Sequence, residues 1–225
     1  YIQCDISKKK SVEKMFNNLK LNFNFPEILI NCAGIAGDVN NIQSINLKKW
    51  IEAVNINLIG TVILLNKYIK DALKNRIRIK VIQLSGGGAT KPLPGLSSYS
   101  SSKAGVVRLI ENISKEIASE DLDINCIAPG TLNTSLVEDM FKGGINEIDK
   151  NLAFQLQKQK KDHNSNLIKT IKLIHFLSSK KSNGISGKLI SAVWDQWNDQ
   201  ELINKLKEDN DLFTLRRNIQ GVKDV

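Results

Sequence analysis

The sequence predicts one α/β domain built on a parallel sheet. Its 225 residues are 41% hydrophobic, which suffices for one sizeable core. Residues 27–31 form a continuous apolar run, as expected of a strand that is covered on both faces. Residues 79–85 and 123–128 are predicted to be further strands, and helical patterns separate the three. Strands that alternate with helices are typical of a parallel sheet.

Charge and cysteine content exclude several classes of protein. The net charge is +9, but the lysines are spread along the chain, so they predict solvated helix faces and no nucleic-acid partner. No apolar run reaches membrane-spanning length, so we expect no membrane partner. The three cysteines have no metal-ligand spacing, which predicts buried free thiols, no metal and a cytoplasmic protein.

Two helices flank the predicted strand at residues 79–85. The first runs from residue 47 to about residue 75 and carries Asn57 at its middle, an unusual place for asparagine on helix propensity alone. The second begins near Ser97 or Ser98, where a serine-rich segment leads into apolar residues at helical spacing. Upstream of both, residues 4–7 are predicted to end a short strand.

The second helix carries a candidate acid/base pair. Tyr99 and Lys103 are four residues apart and therefore share one helix face. A free tyrosine has a pKa of about 10, too high for proton transfer near neutrality. A lysine roughly 4 Å away contributes about 4 kcal/mol at an effective dielectric constant of about 20, which would supply most of the required shift. Taken alone, the pair is much more typical of a packed tyrosine beside a solvated lysine, since short motifs match by chance.

Other motifs accompany this pair in a characteristic order: Asn31-Cys32-Ala33-Gly34, Asn57-Leu58-Ile59-Gly60, Leu84-Ser85-Gly86-Gly87 and Ala128-Pro129-Gly130 with Thr134. Together with Tyr99 and Lys103 they resemble the short-chain dehydrogenase/reductase family, from about residue 4 to about residue 193. The resemblance implies a Rossmann-like, doubly wound parallel sheet and an oxidoreductase. It also implies NAD or NADP as the cofactor, with hydride transfer to or from an alcohol or carbonyl substrate.

The resemblance assigns four catalytic residues. Tyr99 would give or take the hydroxyl proton, and Lys103 would lower its pKa and hold the nicotinamide ribose. Asn57 would kink its helix and hold a water that links the lysine to solvent. Ser85, which matches the first of two serines in the family, would orient the carbonyl.

The resemblance also assigns cofactor contacts beyond Tyr99 and Lys103. Asp5 would contact adenine, although a turn or capping aspartate is an equal alternative. The turn of Asn31, Ala33 and Gly34 would border the adenosine, because small residues allow close approach of the backbone. The corner at Pro129 and Gly130 would lead to the nicotinamide, and Thr134 would bind its carboxamide.

The sequence departs from the family pattern in two places. None of its 14 glycines forms the glycine-rich turn that opens the family fold. We therefore expect an N-terminally truncated fold with strands 3 to 7 of the family. The second departure is Gly86, which stands where the family has its second, carbonyl-orienting serine. The glycines that follow leave room for a bulky substrate such as a sugar.

The predicted domain covers residues 1–197, with a variable, polar substrate lid at 136–166, and is followed by a tail at 198–225. A small-molecule substrate is expected, and the apolar surface of the two long helices implies a homodimer or homotetramer.

Two alternatives remain open at this point. One is a binding scaffold that has lost its chemistry, and the other is a sugar-nucleotide epimerase or dehydratase, although its larger C-terminal domain has no counterpart in this sequence.

Overall fold

A computed structural model describes residues 1–117, 121–161 and 165–216. Its sheet has four parallel strands in the order β1-β2-β3-β4. These strands are Ile28–Asn31 (β1), Ile79–Leu84 (β2), Leu122–Ala128 (β3) and Leu189–Ser191 (β4). The predicted α/β class with a parallel sheet is confirmed.

Helices cover both faces of the central strands, but Ile28 and Ile30 of β1 are 42% and 43% exposed, so the expected cover on both faces is wrong for this strand. Their bounds are Lys9–Asn22 (α1), Leu47–Val54 (α2), Thr61–Lys74 (α3), Ser97–Glu116 (α4), Ser135–Lys142 (α5), Ile145–Ile148 (α6), Lys150–Lys161 (α7), Ser165–Ser178 (α8) and Gln200–Glu208 (α9). The main core packs α1, α3 and α4 against one face of the sheet, and a second core packs α8 and α9 against the other.

The first predicted strand is wrong. Residues 4–7 are not part of the sheet, and Ile6 and Ser7 form a turn before α1. A strand needs a hydrogen-bonded neighbour, and in the described residues β1 pairs only with β2. The described sheet therefore lacks the predicted strand at residues 4–7 and contains those predicted at 27–31, 79–85 and 123–128, together with β4.

The helix predicted over residues 47–75 is interrupted. A π-helix at Asn55–Gly60 separates α2 from α3. Such single-turn π segments insert an extra residue into a helix and are frequent at functional sites. Asn57 lies inside this segment, so the expected irregularity around it is present. The side chain of Thr61 donates a hydrogen bond to the Asn57 carbonyl, 2.7 Å away, which satisfies one of the displaced backbone acceptors.

The strand register brings the carboxyl ends of all four strands to one edge of the sheet. Asn31 of β1 is level with Gln83 of β2, and Ala128 of β3 is level with Ser191 of β4. Loops that follow these ends therefore meet at a single edge. Open α/β sheets bind their ligands at that edge.

The segment predicted as a polar lid has a core of its own. Val137, Met140 and Ile145 are buried, and together with residues of α7 they form a cluster that includes Tyr99. The sequence predicted a polar segment here, but its few apolar residues are buried together. The lid consequently packs against the helix that carries the tyrosine.

The first part of the predicted tail is also folded onto the domain. Ile203 and Leu206 of α9 are buried in the second core. The segment from residue 209 to residue 216 then follows the edge of β4, where the Leu189 amide donates to the Phe213 carbonyl at 2.8 Å. Arg216 reaches the buried carboxylate of Glu111 on α4, at 3.2 Å. The remainder of the tail, residues 217–225, lies outside the described residues.

The described residues contain neither a membrane-spanning helix nor a cluster of metal ligands. Within the part of the chain that the structure describes, no helix has both the length and the apolar character to cross a membrane. The same residues contain no group of three or more side chains that could hold a metal ion.

Candidate active site

Tyr99 and Lys103 occupy successive turns of α4 on the face that looks toward the sheet. They are only 8% and 4% exposed. The ammonium nitrogen of Lys103 lies 5.7 Å from the centroid of the Tyr99 ring and donates to the Leu84 carbonyl at 3.0 Å. The bond to Leu84 fixes the lysine at the carboxyl end of β2. The two side chains therefore share one face of α4, as their spacing predicts.

The electrostatics of the pair differ from the expectation. Burial raises the pKa of Tyr99 to about 12, and the Lys103 charge does not offset this effect. Burial also lowers the pKa of Lys103, which the thiol groups of Cys126 and Cys32 oppose weakly. The expected lowering of the tyrosine pKa by the lysine is thus absent in this structure, because both groups are desolvated and the ammonium lies over the ring.

Asn57 connects three elements around the lysine. Its amide group donates to the carbonyl of Ile35 and to the hydroxyl of Ser102, both at 3.0 Å, and its amide oxygen accepts from the Ile35 amide at 2.9 Å. The side chain is 1% exposed. Asn57 therefore holds the loop after β1 against α4. Its predicted link to a water stays a prediction.

The turn after β1 is built around Asn31. Its side chain donates to the Gln83 amide oxygen at 2.8 Å and accepts from the Ala33 amide at 3.2 Å. Gly34 follows, and a Cβ atom at this position would lie 3.2 Å from Asn57 Oδ1 and 3.3 Å from Lys103 Nζ. Any other residue at position 34 would place its Cβ atom in tight contact with the side chains of Lys103 and Asn57. A cradle of this kind fits a ligand that approaches the backbone closely, so Asn31, Ala33, Gly34 and Lys103 fit the expected cofactor.

The loop after β2 places Ser85 and Gly86 beside the tyrosine. The hydroxyl of Ser85 is buried and has no hydrogen-bond partner among the described residues. A buried polar group without a partner is rare and points to a partner that binds from outside. A Cβ atom on Gly86 would lie 2.5 Å from the Tyr99 hydroxyl. The tyrosine thus occupies space that a side chain at position 86 would fill.

The corner after β3 is held by α8. Pro129 accepts a hydrogen bond from the Thr170 hydroxyl at 3.2 Å. Gly130 has a φ of +75°, and a Cβ atom there would meet Val193 at 2.7 Å. Both the backbone conformation and the contact require glycine. Thr134 is exposed and stands at the N-cap position of α5 without a side-chain capping bond, so its hydroxyl is available to a ligand.

Asp5 makes its contacts within the turn before α1. Its carboxylate accepts from the amide and hydroxyl of Ser7, at 3.0 and 2.7 Å, and pairs with Lys8. These hydrogen bonds hold its pKa below its usual range. The turn alternative accounts for all of these contacts.

Sequence reasoning missed the turn after β4. Trp194 is 84% exposed at the same edge of the sheet, and Asp195 follows it. The available signal was a tryptophan directly after the last apolar run of the sequence, whereas its exposure is visible only in the fold.

Comparisons with known proteins identify the family. The model of the short chain dehydrogenase family matches residues 1–145, so the chain belongs to this family. It is 27% identical over 139 residues to a 3-oxoacyl-[acyl-carrier-protein] reductase from Bos taurus, covering 62% of this chain and 58% of that protein. It is 26% identical over 189 residues to the corresponding reductase FabG of Staphylococcus epidermidis, covering 84% and 74% of the two chains. The chain thus spans under two thirds of the bovine relative.

Solved structures share the fold. An aldohexose dehydrogenase from Thermoplasma acidophilum superposes with a TM-score of 0.70 at 20% identity, over 84% of this chain and 75% of the other. A xylitol dehydrogenase with bound NAD⁺ gives a TM-score of 0.71 at 18% identity over the same shares. The predicted family and Rossmann-like fold class are confirmed. The expected enzyme class, a dehydrogenase or reductase, agrees with the family and with the names of these relatives.

Proposed function

We propose that the protein is an NAD- or NADP-dependent oxidoreductase that acts on an alcohol or carbonyl substrate. The observation that supports this best is the buried pair of Tyr99 and Lys103 at the carboxyl edge of the sheet, beside the Gly34 cradle. The bound nicotinamide would supply or accept the hydride. Binding it would complete a site that the chain's own residues have already shaped.

Each residue then has a defined role. The hydroxyl of Tyr99 exchanges a proton with the substrate oxygen. Lys103 stabilises the phenolate and holds the ribose, once a ligand draws its ammonium from the Leu84 carbonyl. Ser85, whose hydroxyl has no partner in the described chain, hydrogen-bonds the substrate oxygen. Asn57 keeps the loop after β1 and α4 in register and relays protons from the lysine. Pro129, Gly130 and Thr134 border the nicotinamide, and Asp5 is the candidate adenine contact.

Spectrophotometric assays with NADH, NADPH and their oxidised forms test the proposal directly. The intact protein should turn over at least one compound in a panel of alcohols, ketones and sugars. Tyr99→Phe should lower the rate by about a thousandfold, since positioned acid/base groups contribute about 10² to 10⁴. Full activity in this variant, or no turnover of any panel member with either cofactor, contradicts the proposal.

Gly86 favours a second candidate function. It removes one hydroxyl that the family uses, and the Tyr99 hydroxyl fills the vacated space. A protein that binds the dinucleotide without reaction would fit this arrangement. Calorimetric binding of NADH or NADPH without turnover would distinguish it from the enzyme.

The oligomeric state and the cellular compartment are also part of the proposal. We expect a homodimer or homotetramer, since Ile51, Ile59 and Val62 expose apolar surface along α2, the π segment and α3. We also place the protein in the cytoplasm, because its three cysteines, Cys4, Cys32 and Cys126, are all free thiols. Analytical ultracentrifugation tests the first expectation, and cell fractionation tests the second.

A further inference from the structure

The backbone carbonyl of Leu84 accepts hydrogen bonds from two buried side chains. One donor is the Lys103 ammonium, at 3.0 Å, and the other is the Gln83 amide nitrogen, at 2.9 Å. These residues are 4% and 0% exposed. The backbone amide of Ala33, which lies just beyond β1, donates to the Asn31 side chain instead. Within the part of the chain that the structure describes, the carbonyl therefore depends on two side-chain donors.

The orientation of the Gln83 amide group follows from its neighbours. The Ala33 backbone amide can only donate, so the Asn31 atom that it contacts at 3.2 Å is the side-chain oxygen. The Asn31 nitrogen then faces Gln83 and donates to its amide oxygen at 2.8 Å. The Gln83 nitrogen must therefore point toward the Leu84 carbonyl, and it lies 3.5 Å from the Asn31 carbonyl as well. Gln83 is thus a fixed donor to Leu84.

Lys103 has to move before it can contact a cofactor. It is almost fully buried, so a ribose cannot reach its ammonium group in the present position. A Cβ atom at Gly34 would lie 3.3 Å from the ammonium nitrogen, and the absence of this atom leaves room for the movement. The movement breaks the hydrogen bond to Leu84. A carbonyl that loses its donor inside a protein costs free energy, unless a second donor remains.

Gln83 is this second donor. We propose that Gln83 is a positioning residue that keeps the Leu84 carbonyl hydrogen-bonded and thereby allows Lys103 to leave it for the cofactor. The inference rests on the proposed oxidoreductase function and adds a residue to its site. Since Gln83 is fully buried, it acts only through Leu84 and Lys103.

Acetylation of Lys103 measures its release without any cofactor. N-hydroxysuccinimidyl acetate modifies an amine only when the amine is accessible, and peptide mass spectrometry follows the reaction at each lysine of the intact protein. Gln83→Met removes the donor at nearly constant side-chain volume. Release of Lys103 would then leave the Leu84 carbonyl without a protein donor, so acetylation of Lys103 should become about fivefold slower. A general loosening of the structure would have the opposite effect and make it faster.

A second variant and a control separate the lost donor from other effects. Gln83→Asn keeps an amide but shortens the side chain by one methylene group, which moves its nitrogen away from Leu84. It should slow the acetylation about twofold, and it replaces Gln83→Met if that variant does not fold. Asn125→Leu is the matched control, because Asn125 is a 3% exposed amide that also joins two backbone groups, the Ile185 carbonyl and the Lys188 amide. In this variant Lys103 should be acetylated at the wild-type rate.

Titration with NADH and NADPH tests the consequence for binding. If Lys103 must leave Leu84 to hold the ribose, Gln83→Met should weaken the affinity for the cofactor by the same factor, about fivefold. Asn125→Leu should bind it as the wild type does. Calorimetry on the intact proteins measures both affinities without turnover.

The outcomes separate the two proposals. Acetylation of Lys103 that is as fast in Gln83→Met as in the wild type, or faster, overturns the inference, and so does an unchanged cofactor affinity. If such a protein still catalyses hydride transfer, the proposed function stands alone. If the wild type binds neither NADH nor NADPH, the proposed function fails, and the acetylation rates still decide whether Gln83 controls the release of Lys103.

Discussion

At the amino ends of β2 and β3, the carboxylate of Asp123 accepts from Arg78 and Lys80, both at 2.8 Å, and from the Gly184 amide at 3.0 Å. At the carboxyl ends of the central strands, the buried hydroxyls of Ser85 and Ser98 have no partner among the described residues. The carboxylate of Asp123 is thus saturated internally, whereas the hydroxyls of Ser85 and Ser98 retain unused hydrogen-bonding capacity. This contrast predicts that Asp123 stabilises the fold and that Ser85 contributes to catalysis, and variants at each edge test it.

Asp123→Ala should have the largest effect on stability. The substitution leaves the buried ammonium of Lys80 without its carboxylate, although Ser182 still accepts from it at 3.0 Å. Removing one partner of a buried ion pair typically destabilises a protein by about 3 to 5 kcal/mol. Urea unfolding measures the change in free energy. A loss below about 1 kcal/mol would show that this edge is not the stabilising one.

Ser85→Ala should leave stability nearly unchanged and lower the catalytic rate. The hydroxyl has no partner to lose, so we expect the free energy of unfolding to change by less than about 0.5 kcal/mol. Loss of a hydrogen-bond donor to the substrate oxygen should lower kcat by about 10² to 10³. Unfolding curves and steady-state kinetics on the same preparation provide both numbers. A destabilised variant with normal kcat would reverse the assignment.

Gly86→Ala probes the space beside Tyr99. The backbone of Gly86 is extended, so alanine causes no strain there, but its Cβ would lie 2.5 Å from the phenol oxygen. The tyrosine must shift, and a misplacement near 1 Å lowers rates by about a hundredfold. Gly87→Ala is the control, since its Cβ would meet no atom within 4 Å. Equal kcat values for the two variants would contradict this account.

Lys103→Met should change how stability depends on pH. Burial lowers the pKa of Lys103 from 10.5, so between the lowered value and 10.5 the unfolded chain binds more protons than the folded one. The contribution of Lys103 to stability therefore rises with pH across this window. The variant should lack this rise, whereas Lys49→Met, at an exposed site, should retain it. Stability curves that coincide for Lys103→Met and the wild type would contradict the buried state of the ammonium.

Much of this architecture could be predicted because local patterns determine it. The strands around Ile30, Ile82 and Ile124 are apolar runs, and α4 begins at Ser97, within the predicted serine-rich start. The predicted strand at residues 4–7 failed because pairing depends on a neighbour, which no local pattern reveals. The π segment around Asn57 was anticipated only as a kink implied by the family.

The geometry of the Tyr99 and Lys103 pair was predictable, but its electrostatics were not. The spacing of Tyr99 and Lys103 predicted their shared helix face, whereas the burial that raises the pKa of Tyr99 depends on packing by residues of α5, α6 and α7. Residues 136–161 have few apolar side chains, so their number predicts a polar segment. Their arrangement in the fold, which the number does not reveal, forms a core. The hydrogen bonds of Ser191 join residues two to four positions apart, and only the folded turn shows that they hold Trp194 outward.

The segment from residue 209 to residue 216 also affects how the protein can be handled. By accepting a hydrogen bond from Leu189 through Phe213, it covers part of a strand edge that would otherwise be open. Open edges are templates for intermolecular pairing and aggregation. A recombinant version shortened to end before Asp209 would expose β4 and release the buried carboxylate of Glu111 from Arg216. Expression of such a shortened version should yield insoluble material, and affinity tags belong beyond this segment.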